Sequence, residues 1–105
     1  MTANMWEDIV RFNDRHFPEW RNTSLVYLTN ALAGEVGELC NDSKHLAGGG
    51  TNKRTPSRAD LIAEAADVFI YLALISEVLG YDEQGFRDAV SRKVFKNYER
   101  MEGKI

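Results

Sequence analysis

Residues 68–75 read Val-Phe-Ile-Tyr-Leu-Ala-Leu-Ile, a run so uniformly apolar that no face of it can be left in water. The run lies inside a longer segment that opens on Ser57, with Asp60 three residues later, in the pattern of a capping box. Gly80 follows, a residue suited to the position just past a helix end. The spacing predicts a helix over 58–79 that is enclosed on most sides, so the other elements must supply its walls.

Those elements also read as helices. Asn4, with Glu7 three residues on, caps a segment over 4–16 with Met5, Ile9, Val10 and Phe12 at roughly helical spacing. Pro18 disfavours helix at Phe17, and 17–23 reads as an irregular connection. A second helix is expected over 24–45, where Leu25, Leu28, Leu32, Val36 and Leu39 recur every three or four residues. Gly48, Gly49 and Gly50 and the polar residues up to Pro56 form a loop within a single domain. Asp82 caps a fourth helix carrying Phe86, Val90, Val94, Tyr98 and Met101, which fades near Gly103. No segment alternates as a strand would, and the expected fold is an all-α bundle of one domain, 1–105.

With 105 residues, a chain of this kind leaves much apolar surface exposed unless copies associate, so a homo-oligomer is expected. No run of eighteen apolar residues, no basic leader and a single Cys40 argue against a membrane span or a secreted disulfide scaffold and favour a reducing cytoplasm. Cys40 is expected to pack rather than react. A formal charge of −3 offers no footprint for duplex nucleic acid.

The acids in the two central helices are the feature a plain core does not explain. Glu35 and Glu38 stand about 60° apart on the second helix, and Glu64 and Asp67 repeat the spacing on the third, directly before its apolar run. Like charges about 4 Å apart repel by roughly 4 kcal/mol at an effective dielectric of 20. Either these are solvated helix faces, or a hard divalent cation neutralises them. The small residues Gly34, Gly37, Ala65 and Ala66 beside them would let two helices approach around a shared ion. All-oxygen ligation favours Mg2+ or Mn2+ over zinc, and neither His16 nor His45 completes a di-iron Glu-x-x-His pair.

The segment Leu32-Ala33-Gly34-Glu35-Val36-Gly37-Glu38-Leu39, the segment Glu64-Ala65-Ala66-Asp67-Val68-Phe69-Ile70-Tyr71-Leu72, and Lys93 with Asn97 and Arg100 occur in that order. In this pattern the chain resembles the MazG-like all-α nucleoside triphosphate pyrophosphohydrolases, which include dCTP pyrophosphatases. Gly34 stands where many relatives carry a further acid, a departure that leaves the four principal positions intact.

The resemblance implies a four-helix bundle-like protomer, assembled as a dimer or tetramer, that acts on a nucleoside triphosphate. Glu35, Glu38, Glu64 and Asp67 would hold Mg2+, and water would attack the α-phosphorus to give a monophosphate and pyrophosphate. Glu35 or Glu38 would orient that water as base. Lys93, Asn97 and Arg100, at i, i+4 and i+7, could meet phosphate or sugar together, or form a solvated basic helix end. Tyr71 shares the face of Asp67 and could reach the nucleotide or belong to the core. Among the N-terminal aromatics Trp6, His16, Phe17 and Trp20, Trp20 is the first candidate to contact the base and His16 the second. Asn30 is a weaker ligand candidate, and Lys53 and Arg54 could close over the phosphates. A phosphoribosyl-ATP pyrophosphohydrolase and a non-catalytic nucleotide-sensing module are the alternative readings.

Overall fold

The computed structural model describes residues 4–48 and 55–103, so Gly49, Gly50, Lys53 and Arg54 of the glycine loop lie outside the described residues. The chain is all-α. The helices are α1 (Met5–His16), α2 (Leu25–Leu46), α3 (Arg58–Val78) and α4 (Glu83–Met101), with a 3-10 turn at Trp20–Asn22 between α1 and α2.

The local signals act as expected. Asn4 Oδ1 accepts from the Glu7 amide at 2.8 Å, Ser24 Oγ from Val26 at 3.1 Å and Asp82 Oδ1 from Gly85 at 3.0 Å, so three helices start on side-chain caps. Ser57 and Asp60 exchange both bonds of a capping box. Gly80 takes φ 90, which lets the chain leave α3 in the left-handed region open to glycine. Ser76 Oγ then donates to the Tyr81 carbonyl at 3.0 Å and ties the α3–α4 turn. The 3-10 turn refines the connection read as irregular, since the Phe17 and Glu19 carbonyls accept from the Trp20 and Asn22 amides.

Helix α3 is the hub, with α2, α1, the 3-10 turn and α4 all packed against it. Trp6, Phe69 and Phe86 meet as an aromatic cluster with ring centroids 5.5 to 6.5 Å apart, which joins α1, α3 and α4. Trp6 is thus a core residue rather than a base contact. Trp20, Leu28, Ala73 and Leu74 are buried with it.

Three expectations need correction. The bundle is open: beyond Phe86, the α4 stripe of Val90, Val94, Tyr98 and Met101 is exposed, because the helix runs past the end of the walls available to it. The radius of gyration is 16.9 Å, against about 13 Å for a compact domain of this length. Within one chain the apolar run of α3 is covered but, apart from Ala73 and Leu74, only half-buried. Cys40 is exposed and does not pack. Gly34 and Gly37 do not mark close helix contact either, since a Cβ at either would meet nothing within 4 Å.

Candidate metal centre and groove

The antiparallel pairing of α2 with α3 brings their acidic pairs face to face. One carboxylate oxygen from each of Glu35, Glu64 and Asp67 lies within 4.8 Å of the others, spacing suited to a single hard cation. Glu35 and Glu64 are half-buried and Asp67 exposed. Among the described residues, Oε2 of Glu35 and Oε2 of Glu64 are sealed from water and have no hydrogen-bond partner. Orphaned buried oxygens are uncommon in folded chains, and a bound water, an ion or a proton on the carboxyl would each satisfy them.

The electrostatics agree. Loss of hydration, then the charges of Glu38 and Asp67, holds the Glu35 carboxyl above its ordinary range. Glu64 is raised by desolvation first, then by Glu38, Asp42 and Asp67. Glu38 stands beside Glu64, outside the trio and exposed, close enough for a proton shared between them to favour the protonated form. When both are ionised, no donor lies between them. Asp42 is a member that the sequence reading missed. Its signal was present, since Asp42 follows Glu38 by four residues and Glu35 by seven, which sets all three on one stripe of α2.

Beside the trio, a groove of about 1210 Å³ is lined by α1, the 3-10 turn, α2 and α3, and Glu35 and Asp67 contribute to its lining. Its aromatic walls are Phe12, Phe17, Trp20, Tyr27, Phe69 and Tyr71. Tyr71 lies where predicted, near the acids: burial, then Glu35, Tyr27 and Asp67, raises its phenol above the ordinary range. Tyr27 was not singled out from the sequence, because an exposed tyrosine in the first turn of an amphipathic helix carries no distinguishing signal.

Trp20 also lines the groove. Its indole N–H donates to Asp14 at 2.8 Å, and the Arg21 guanidinium lies 4.4 Å from its ring centroid. His16 is not part of the groove lining and instead rests against Phe12, with ring centroids 4.8 Å apart. On α4, Lys93, Asn97 and Arg100 are all exposed and do not line the groove, and Arg100 donates to Asn97 Oδ1 at 2.6 Å. Asn30 is exposed. No protein-family model matches the chain, nor does any curated protein or solved structure.

Proposed function

We propose that the chain is a Mg2+-dependent nucleoside triphosphate pyrophosphohydrolase. The observation that carries this reading is the pair of buried, unpartnered oxygens on Glu35 and Glu64, held with Asp67 beside an aromatic groove of nucleotide size. Three oxygens with no nitrogen or sulfur ligand fit Mg2+, and Mn2+ as a substitute. When bound, the ion offsets the charge of carboxylates and phosphates together and makes water a stronger acid.

The remaining roles belong to the chain. Among the described residues the groove lining contains no Lys, Arg or His, and on this reading the triphosphate lies toward the carboxylate trio with its counter-ion. Tyr71 flanks the base and sugar, and the buried Trp20 backs the same wall. On this reading Glu38, outside the trio and beside Glu64, would take the proton of the attacking water. Attack at the α-phosphorus breaks its bond to the bridging oxygen and yields a monophosphate and pyrophosphate. Lys93, Asn97 and Arg100 reach a nucleotide only if another copy presents them, which accords with a homo-oligomer built on the exposed α4 stripe. Such an assembly would work in the cytoplasm, where the exposed Cys40 stays reduced.

The test is a panel of nucleoside triphosphates with separate detection of pyrophosphate and orthophosphate. Pyrophosphate and monophosphate are expected with Mg2+, and excess chelator should abolish their release. Diphosphate as the main product, or full turnover in chelator, would overturn the proposal.

A further inference from the structure

The groove wall formed by the connection between α1 and α2 is held from behind. Phe17, Pro18, Glu19, Trp20 and Thr23 line the groove there, and the backbone bonds donated by Trp20, Asn22 and Thr23 close within the connection, so they shape it without fixing it against α3. Side chains do the fixing. Trp20 is buried, and its indole N–H donates to Asp14 of α1 at 2.8 Å. The Arg21 guanidinium lies 4.4 Å from the Trp20 ring centroid, with Nη1 3.4 Å from Glu77 Oε1 on α3 and Nε 3.6 Å from Asp14 Oδ1. One planar cation therefore meets α1, the connection and α3 together. Arg21 stands behind the wall rather than in the groove lining. Ion pairs as long and as solvated as these add little to stability, so the contribution of Arg21 is to where the wall sits.

From this arrangement we infer that Arg21 is a positioning residue for the groove: lying on Trp20 and bridging Asp14 to Glu77, it sets the aromatic wall of the connection at the spacing a flat ligand needs. The inference rests on the nucleotide reading above. Arg21 lies outside both the carboxylate trio and the groove lining, so its loss should loosen the hold on the base and leave the reacting end alone. A misplaced wall weakens the bound substrate and the transition state alike, which raises KM and spares kcat. Lysine is only a partial substitute, because an ammonium is a point charge that can pair with one carboxylate but cannot lie flat on an indole while bridging two acids.

Arg21→Ala and Arg21→Lys test this in the full chain, with Mg2+ and the triphosphate that the parent hydrolyses fastest. Arg21→Ala should raise KM about tenfold with kcat within about twofold of the parent, and Arg21→Lys should fall between the two. Without nucleotide, the tryptophan emission of Arg21→Ala should move to longer wavelength and be quenched more readily by acrylamide, as Trp20 loses its cover. The melting temperatures of both variants should stay close to that of the parent. An unchanged KM in folded Arg21→Ala, a loss confined to kcat, unchanged emission, or a melting temperature that falls in step with the rise in KM would overturn the inference and leave the pyrophosphohydrolase reading standing. Failure of the parent to hydrolyse any triphosphate would overturn that reading, and this inference with it.

Discussion

Helix α3 carries half-buried glutamates near both of its ends, and they are treated in opposite ways. Near the C-terminal end, Glu77 accepts the Trp6 indole N–H at 2.8 Å on Oε2 and faces the Arg21 guanidinium at 3.4 Å on Oε1. Arg21 also reaches Asp14 at 3.6 Å, so one cation ties the connection after α1 to the end of α3. Near the N-terminal end, Glu64 faces Glu35, Glu38, Asp42 and Asp67, and its Oε2 has no partner. The same fold satisfies a carboxylate where it needs one for structure and leaves another orphaned among like charges. That contrast argues that the acidic end is arranged for something other than stability.

The sharpest way to break the comparison is to make one chemical change, carboxylate to amide, at both ends. Glu64→Gln should lower Mg2+-dependent pyrophosphate release by more than about a hundredfold, because even supporting partners of a metal ligand are worth 10 to 100-fold. Its melting temperature without metal should not fall, since a repelling charge is removed. Glu77→Gln should do the reverse. It turns an amide N–H toward a donor and weakens the links to Trp6 and Arg21, at a cost of about 1–3 kcal/mol in denaturant unfolding. Equal destabilisation by the two substitutions would refute the contrast.

The pH dependence of the metal-free chain separates the two kinds of carboxylate further. Glu35 and Glu64 have folded pKa values above 4.5, so the folded state holds their protons where the unfolded chain has released them. Their effect on stability is least unfavourable below 4.5 and grows more unfavourable as pH rises through the raised folded values. Glu83 is opposite. The Asn4 hydrogen bond above all, helped by Arg87, lowers its pKa below 4.5, so it stabilises above that value and loses the contribution as pH falls through the folded one. Thermal melts across the acid range should therefore show Glu35→Gln gaining on the parent as pH rises above 4.5 and Glu83→Gln losing on it. The smallest effect on folding is expected from Phe95→Glu on exposed α4, within about 0.5 kcal/mol for the single chain. If that face joins copies, sedimentation should nonetheless show the variant shifted to a lower oligomer.

Much of the fold was legible because its signals are local. The caps at Asn4, Ser24 and Asp82 and the Ser57–Asp60 box each act within three residues, and the acidic pairs are spaced by a helix turn. What escaped depends on distance. Trp6 and Glu77 are 71 positions apart, and nothing in either neighbourhood announces that an indole and a carboxylate will meet. Which apolar face stays uncovered escaped for a related reason, since chain length announces that walls will be short but a stripe does not say which helix goes without one. Asp42 was readable from helical spacing, but it falls outside the compact Glu-x-x-Glu pair that drew attention.

The central claim is that Glu35, Glu64 and Asp67 form a divalent cation site. Calorimetric titration of the chain with Mg2+ or Mn2+ near neutral pH, without nucleotide, tests it most directly. Saturable binding by the parent, a melting temperature that rises with metal concentration, and loss of both in Glu64→Gln are expected. No binding by the parent, or the same binding and the same shift in Glu64→Gln, would contradict it.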